Sequence, residues 1–294
     1  MNNILEISDI QKSYGVITAL NGVSFSVPKN AVFGILGPNG SGKTTMLGIL
    51  LDVLKADSGH FDWIGHQTPE EARKSIGALL ETPNFYHYLN AVENLEIVAE
   101  IKGKGKENID DALKKVKLFE RRNSKFSTFS LGMKQRLAIA SALISDPNIL
   151  VLDEPTNGLD PEGIAEIREV ILRLNKEGKT ILMASHMLDE VEKVCTHVAI
   201  LKKGNLLSFG HVNEVLSDEE LVEVCAENML DLENILKQNR NISIKSNNKI
   251  IMISLLNNMS IGELNKYCFD NNLILTHLQK RKRSLESKFI EITQ

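Results

Sequence analysis

One stretch of the sequence, AVFGILGPNGSGKTTMLGILLDVL at residues 31–54, limits the fold more strongly than any other. Residues 31–36 form a compact apolar run that predicts a buried strand, and residues 44–54 have the spacing of a helix. Residues 37–45, between them, match the pattern GxxxxGK followed by Ser or Thr. A strand that passes through a glycine-rich turn into a helix is typical of α/β folds.

The glycine-rich turn has the chemistry of a phosphate cradle. Its glycines let backbone N–H groups and a helix N-terminus point at one anion. Lys43 supplies a positive charge to the terminal phosphates, and the Thr44 hydroxyl is placed to bind Mg²⁺. The residues predicted to bind ATP here are Gly37, Pro38, Asn39, Gly40, Ser41, Gly42, Lys43, Thr44 and Thr45. A turn that only caps a helix is the alternative, which Lys43 and Thr44 disfavour.

A second apolar strand ends in two carboxylates. In ILVLDEP, at residues 149–155, four apolar residues precede Asp153 and Glu154. Open α/β sheets bind ligands at the carboxyl ends of their strands. We therefore expect Asp153 to hold Mg²⁺ through water, and Glu154 to orient or deprotonate an attacking water. Two surface carboxylates at a strand end are the alternative, which a phosphate loop in the same chain disfavours.

Short apolar strands alternate with helical segments, which predicts a mostly parallel central sheet covered on both faces. Residues 4–27 predict a small antiparallel β-subdomain with breaks at Gly15 and at Asn21-Gly22. Residues 90–119 predict helices that begin at an Asn90 N-cap. We expect this α/β domain to span residues 1–213, with an α-helical subdomain at about 82–146.

The remaining residues, 214–294, predict a separate C-terminal accessory domain. Their pattern is strand, helix, strand, strand, helix, strand. This order is typical of a small ferredoxin-like α+β domain. The predicted fold class is therefore α/β, with a phosphate loop, a mostly parallel central sheet, an antiparallel β-subdomain and a small α+β appendage.

Bulk composition argues against several classes of function. The chain has 294 residues and a net charge of −4, so no basic field indicates a nucleic acid partner. Its three cysteines are far apart and lack metal-binding spacing, which favours reduced thiols in a cytosolic protein. No apolar run approaches the roughly 20 residues that span a bilayer. We expect any role at a membrane to be exerted through a partner.

Three further motifs follow the phosphate loop: FSLGMKQR at residues 129–136, NGLD at 157–160 and MASHMLDE at 183–190. Together with the two motifs above, they resemble the nucleotide-binding subunits of ABC transporters. The resemblance extends from residue 4 to about residue 213, and five motifs in the family's order make chance a poor explanation. It implies that residues 1–213 form a P-loop ATPase cassette of the ABC type. It also implies ATP as substrate, Mg²⁺ as cofactor, and hydrolysis of ATP to ADP and phosphate.

The family signature LSGGQ aligns on residues 129–133 of this chain. Ser130 and Gly132 match the signature, and the departures from it are Phe129, Leu131 and Met133. The resemblance implies that Ser130 and Gly132 face the γ-phosphate bound by the opposite subunit. A Ser130 N-cap would aim a helix dipole at that anion. A capped helix without a ligand is the alternative.

The resemblance implies roles for three more residues. Asp160 lies in the loop that couples the two ATP sites of a family dimer. His186 lies where the family has its switch histidine, which contacts the γ-phosphate or positions the attacking water. Tyr14 occupies the place of the aromatic residue that stacks on adenine, although a core or turn role is the alternative.

The segment IGALLETPNFY, at residues 76–86, narrows the branch of the family. Most such subunits have glutamine at the end of this strand, in a loop that contacts Mg²⁺ or the attacking water, whereas this chain has Glu81. A glutamate at this position and this form of the signature together resemble the sequences of the bacitracin and lantibiotic export and immunity branch. Glu81 is therefore implied as a metal-site residue that acts directly or through water.

One phosphate loop and one signature in the chain imply a homodimer, because one chain cannot close both halves of a site on itself. The resemblance also implies integral membrane permease subunits as partners, a peripheral position on the cytoplasmic face of the membrane, and export of a peptide antibiotic or similar amphipathic substrate. Two alternatives stay open: a soluble ATPase switch of the same superfamily, and a non-catalytic subunit that binds ATP and signals. An intact Glu154 argues against the second.

Overall fold

The computed structural model describes residues 2–66, 68–80, 84–216, 221–247, 250–257, 259–281, 285 and 289. The chain forms two compact units, Met1–Val212 and Asn213–Ile292. Across the described ranges, every helix is too short or too polar to cross a bilayer.

The strands of the first unit are β1 (Asn3–Tyr14), β2 (Ile17–Pro28), β3 (Val32–Leu36), β4 (Ser58–Trp63), β5 (Ile76–Leu79), β6 (Ile149–Asp153), β7 (Thr180–Ser185), β8 (His197–Lys202) and β9 (Asn205–His211). Its helices are α1 (Lys43–Leu50), α2 (Pro69–Ser75), α3 (Ala91–Lys102), α4 (Ile109–Lys115), α5 (Leu131–Leu143), α6 (Pro161–Lys176) and α7 (Leu188–Val194). Helix α8 (Val212–Leu216) lies at the boundary between the units. The second unit contains β10 (Leu221–Ala226), α9 (Met229–Gln238), β11 (Ile242–Asn247), β12 (Ile251–Leu255), α10 (Ile261–Asp270) and β13 (Leu275–Arg281).

The central sheet of the first unit has the strand order β5-β6-β7-β3-β8-β9. The first five of these strands are parallel, and β9 pairs antiparallel with β8. Strands β3, β6 and β7 are buried along their whole length. Strands that are buried along their whole length need cover on both faces of the sheet. The predicted mostly parallel sheet is confirmed.

A second, antiparallel sheet has the order β2-β1-β4. The β1–β2 hairpin turns after Tyr14, which pairs with Ile17. Phe25 of β2 stacks on Phe33 of β3 with ring centroids 5.3 Å apart, so the two sheets share one apolar core. The expected break at Asn21-Gly22 is wrong: this dipeptide lies inside β2, where Gly22 has φ +68° and the pairing with β1 shifts register. Pairing on both sides of Gly22 keeps the strand continuous as a bulge.

Helices α3, α4 and α5 lie in the region predicted as a helical subdomain. Asn90 forms a capping box with Glu93 at the start of α3, because each side chain accepts from the other residue's backbone N–H. Ser130 caps α5 by accepting the N–H of Met133 at 3.2 Å. Both predicted caps are confirmed, so these helices begin where the sequence indicates.

The second unit has an antiparallel sheet in the order β11-β12-β10-β13. Its buried core combines alternate residues of β10 and β12 with apolar residues of both α9 and α10. Alternate residues of a strand share one face, so both helices cover the same face of the sheet. The chain order and the strand order together are those of the predicted ferredoxin-like topology.

Candidate nucleotide-binding site

Three segments of predicted function leave the same edge of the central sheet. Strand β7 lies between β6 and β3, and the three strands are parallel. Asp153 at the end of β6 pairs with Ala184, and Leu36 at the end of β3 pairs with Ser185. The phosphate loop, the carboxylate pair and the histidine after β7 therefore emerge side by side at the carboxyl edge, where α/β folds bind ligands.

The phosphate loop leads into a helix that begins without a side-chain cap. Gly42, the N-cap of α1, has φ +105°, and a Cβ atom there would lie 2.4 Å from the carbonyl oxygen of Ala19. Only glycine fits this position, and α1 therefore begins without a side-chain cap. The Ser41 hydroxyl is buried and has no hydrogen-bond partner within the part of the chain that is described. An uncapped helix N-terminus and an unsatisfied hydroxyl fit a bound phosphate.

Lys43 lies inside the loop, with 5% of its surface exposed. Its Nζ donates to the carbonyl oxygens of Gly37 at 2.9 Å and Pro38 at 3.3 Å. The same nitrogen lies 3.3 Å from Oε1 of Glu154. A buried ammonium group is costly unless it has partners, and these three oxygens supply them. The cation is thereby held at the mouth of the anion-binding loop.

Glu154 connects the phosphate loop with the histidine after β7. Its Oε2 lies 2.8 Å from Nδ1 of His186 and 3.4 Å from the backbone nitrogen of the same residue. The backbone of Glu154 has φ +46°, in the left-handed region that a residue with a side chain seldom adopts. Its N–H donates to the carbonyl of Ala184 at 3.1 Å, which holds this sharp turn. A carboxylate between a cation and an imidazole suits general-base chemistry.

Two of the three predicted metal-site residues lie at this edge. Asp153 ends β6 and is buried, and Thr44 is exposed in the first turn of α1. Mg²⁺ in nucleotide sites usually takes one or two protein ligands and the rest from phosphate and water, so this hydroxyl and carboxylate fit it. The third residue, Glu81, lies outside the described residues. Leu79, at the end of the strand that leads to it, pairs with Leu152 of β6.

Tyr14 lies at the end of β1, beside the hairpin turn. Its side chain is 48% exposed, so it is not the core residue of the alternative interpretation. The ammonium group of Lys12 lies 5.6 Å from the ring centroid. An exposed aromatic ring leaves a face on which a base can stack.

The signature residues surround a separate cavity of about 400 Å³. Ser130 and Gly132 line it from the start of α5. Asp160 lines it from the start of α6, where its Oδ1 accepts the N–H of Gly163 at 2.9 Å. Among the described residues around this cavity, none belongs to the phosphate loop. The structure therefore places the phosphate loop, Glu154 and His186 in one group and the signature residues and Asp160 in another. No contact joins Tyr14 to either group among the described residues.

Comparison with known proteins decides the family. The family model described as ABC transporter matches residues 20–157. The bacitracin transport ATP-binding protein BcrA of Bacillus licheniformis is 36% identical over 99% of this chain and 98% of its own length. The chain belongs to the ATP-binding proteins of ABC transporters. Proteins of this family hydrolyse ATP to power transport, so this ABC subunit is an ATPase.

Other comparisons agree with this family and with the predicted branch. The lantibiotic transport ATP-binding protein SrtF of Streptococcus pyogenes is 40% identical over 69% of this chain and 89% of its own length. The crystal structure of the ADP conformation of the ABC cassette MJ1267 has a TM-score of 0.66 and 31% identity, over 74% of this chain and 96% of its own. A dimeric structure of the cassette MJ0796 with ADP and phosphate has a TM-score of 0.60 and 26% identity, over 71% of this chain and 98% of its own. The predicted cassette fold is confirmed.

Two ion pairs of this ABC ATPase are not predicted from its sequence. Arg136 of α5 lies 3.2 Å from Glu166 of α6, and Arg168 of α6 lies 2.6 Å from Glu190 of α7. Arg136 and Glu166 also line the signature cavity. One signal is present, since Arg136 follows Gly132 at helical spacing on the same face. The partners of Arg136 and Arg168 are 30 and 22 residues away along the chain, beyond any local pattern.

Proposed function

We propose that this chain powers the export of a peptide antibiotic, or of a similar amphipathic substrate, through separate membrane-spanning partners. The observation that carries the ATPase part is the contact of Glu154 with both Lys43 and His186 at one sheet edge. The substrate class is taken from relatives named for bacitracin transport, which align over 99% of this chain. Export rather than import belongs to the proposal.

The site residues take the following roles in hydrolysis. Lys43 and the N–H groups of the phosphate loop bind the phosphates, and Tyr14 stacks on adenine. Glu154 accepts the proton of the attacking water, while His186 orients that carboxylate and senses the γ-phosphate. Thr44 and Asp153 would hold Mg²⁺, which neutralises phosphate charge when it is bound. The protein therefore contributes mainly positioning and charge stabilisation.

The active form is proposed to be a homodimer in which each copy completes the other's site. The phosphate loop and the signature cavity are lined by different residues, as two half-sites would be. Ser130 and Gly132 would face the γ-phosphate held by the opposite copy, and Asp160 would link the two sites. A related cassette, MJ0796, is dimeric with ADP and phosphate bound. In a two-fold dimer, every contact between the phosphate loop of one copy and the signature of the other must occur twice.

The surface near the helical subdomain is proposed to contact the membrane subunits at the cytoplasmic face. Tyr86 and Tyr88 are 51% and 69% exposed, and their ring centroids lie 5.8 Å apart. Exposed paired aromatic residues are frequent anchors of protein interfaces. Residues 1–213 would act as the cassette, and residues 214–294 as an accessory domain.

Glu81 is proposed to act on the metal or on a water at the end of β5. A third carboxylate near a triphosphate is repelled unless Mg²⁺ or a proton offsets its charge. Hydrolysis by Glu81→Gln should therefore depend less on Mg²⁺ concentration and on pH than hydrolysis by the wild type. Identical dependences would remove any special role for this charge.

The proposed function is tested by copurification and hydrolysis. A tagged full-length chain should extract an integral membrane protein from cells challenged with a bacitracin-like peptide, and the complex should hydrolyse ATP. Glu154→Gln should keep the complex and lose about 10²-fold or more of the rate. Recovery of ribosomes or DNA without a membrane protein would instead support a soluble switch. Equal rates of ATP hydrolysis for the wild type and Glu154→Gln would contradict the role of Glu154.

A further inference from the structure

Helix α6 carries a buried stripe with charged residues on both sides of it. Its buried residues are Gly163, Ile167, Val170, Ile171 and Leu174. Glu166 and Arg168 flank Ile167 in sequence. Each residue turns an α-helix by about 100°, so Glu166 and Arg168 project from opposite flanks of the stripe. One flank can therefore contact α5 while the other contacts α7.

The first flank holds α5 and the end of α4 through Arg136. This arginine is 8% exposed, and its Nη1 donates to the carbonyls of Val116 and Lys117, both at 3.2 Å. Its Nη2 lies 3.2 Å from Oε2 of Glu166. One guanidinium of α5, one turn after Gly132, thus contacts α6 and the two residues that follow α4. A planar group with several fixed donors fixes orientation better than a single ammonium contact.

The second flank holds α7 through Arg168. Its Nε and Nη2 lie 3.0 Å and 2.6 Å from Oε2 of Glu190, and Lys193 lies 2.9 Å from Oε1 of the same carboxylate. Burial raises the pKa of Glu190, but the hydrogen bonds from Lys193 and Arg168 outweigh it and lower that pKa overall. Helix α7 begins two residues after His186, so this contact fixes the segment that carries the histidine.

We infer that α6 is a brace whose two flanks, Glu166 and Arg168, set the position of the signature relative to the switch histidine. The inference rests on the proposed roles of the signature and of His186. Helix α6 begins at the Asp160 cap, so the brace also carries the loop proposed to couple the two ATP sites. Glu166 and Arg168 are positioning residues, since they act through α5 and α7 and not on the reacting atoms.

A brace and an ordinary structural tie predict different results. A structural tie affects the free energy of unfolding and leaves the rate of the folded enzyme unchanged. A brace affects the rate, because small displacements of reacting groups lower turnover steeply. The phosphate loop leads into a different helix, α1, so the affinity for ATP should stay the same. The diagnostic signature is a lower kcat with unchanged ATP affinity, measured at a temperature at which every variant remains folded.

The test compares full-length Glu166→Gln and Arg168→Gln with wild type in ATP hydrolysis, ATP binding and thermal unfolding. Each variant should lose about 10-fold in kcat, with a Hill coefficient for ATP closer to one, and should bind ATP within about twofold of wild type. Arg168→Lys keeps the charge and should recover part of the rate. The matched control is Glu169→Gln, which breaks the exposed ion pair with Lys117 on the same helix and should leave kcat unchanged.

The outcomes separate this inference from the proposed function. Wild-type kcat and cooperativity in both Glu166→Gln and Arg168→Gln would overturn the brace. A fall in kcat that matches a fall in Tm, in both variants and in the control, would also overturn it in favour of a structural tie. If Glu166→Gln alone unfolds, Arg168→Gln decides. Glu154→Gln serves as the reference: full activity of that variant would contradict the proposed function, whatever the brace variants do.

Discussion

The ammonium nitrogen of Lys43 lies 3.3 Å from Oε1 of Glu154, so the cation of the phosphate loop and the proposed base are direct neighbours. An ammonium group has three donors, and the carbonyls of Gly37 and Pro38 accept from the same nitrogen. A phosphate that binds Lys43 must therefore compete with Glu154 for its protons. Substrate binding would loosen this carboxylate at the moment when it is needed for hydrolysis.

Loss of the Lys43 charge should weaken ATP binding. We expect Lys43→Ala to lower the affinity by about 10-fold to 100-fold, because a hydrogen bond to a charged group contributes about 1.5–3 kcal/mol. Titration with a fluorescent ATP analogue measures this. Lys29→Ala, at an exposed lysine outside the loop, is the control and should bind normally. Equal affinities of the two variants would contradict the assignment.

Loss of His186 should affect turnover rather than binding. His186→Ala removes the 2.8 Å contact to Glu154 and should lower kcat by about 10²-fold, the lower range for acid–base groups. His186→Asn keeps a donor near the position of Nδ1, so its kcat should lie between those of the wild type and His186→Ala. Steady-state hydrolysis and ATP binding are measured together, with the exposed His60→Ala as control. A change in affinity alone would assign His186 to binding.

The ring of Tyr14 should contribute to the binding of adenine and not to the binding of the phosphates. We expect Tyr14→Ala to weaken ATP binding by about 10-fold, since stacking of a base contributes about 1–3 kcal/mol. Tyr14→Phe should bind ATP as the wild type does. Inorganic triphosphate, measured by competition, should bind equally to all three proteins. Weaker triphosphate binding by Tyr14→Ala would indicate that the hairpin shapes the phosphate loop instead.

Asp160 should contribute to stability through its helix cap. Its Oδ1 accepts the N–H of Gly163, and loss of such a cap costs about 1 kcal/mol. Asp160→Ala should therefore lower the Tm by about 2–4 °C. Asp160→Asn keeps the cap and should melt with the wild type. Any loss of hydrolysis in Asp160→Asn then reports on the dimer, because the fold is unchanged.

The ion pair between Asp146 and Lys179 should make stability depend on acid pH. The hydrogen bond from Lys179, at 2.8 Å, lowers the pKa of Asp146 below its ordinary value. Its contribution is complete above the unfolded pKa of about 3.9 and is lost as pH falls through the lower folded value. Since Asp146 is largely exposed, Asp146→Asn should cost under about 1 kcal/mol at pH 7. Denaturant unfolding at pH 7 and pH 3 should show this difference become smaller at pH 3.

Much of the fold is predictable because its elements carry local signals. The apolar residues of β6 followed by two carboxylates, and the capping box at Asn90, each fix an element from a few neighbouring residues. The prediction of a break at Asn21-Gly22 is wrong because pairing with β1 holds this dipeptide, which is typical of turns, inside a strand. Strand β4 has a mostly polar sequence, and its structure comes from its long-range pairing with β1.

The candidate site is predictable to a similar extent, for a topological reason. Parallel strands end at one edge, so residues that follow different strands, such as Lys43, Glu154 and His186, meet without a local signal of contact. The ion pairs on either side of α6 are different. Glu166 and Arg168 look like ordinary charges on an amphipathic helix, and their partners are fixed only by how α5 and α7 pack.

The left-handed backbone of Glu154 sets stability and activity against each other at one position. A residue with a Cβ atom held at φ +46° costs on the order of 1 kcal/mol or more, which glycine or asparagine would avoid. Neither of these residues can act as a base. A library of variants selected only for heat resistance would therefore drift away from glutamate here, and selection for turnover would restore it.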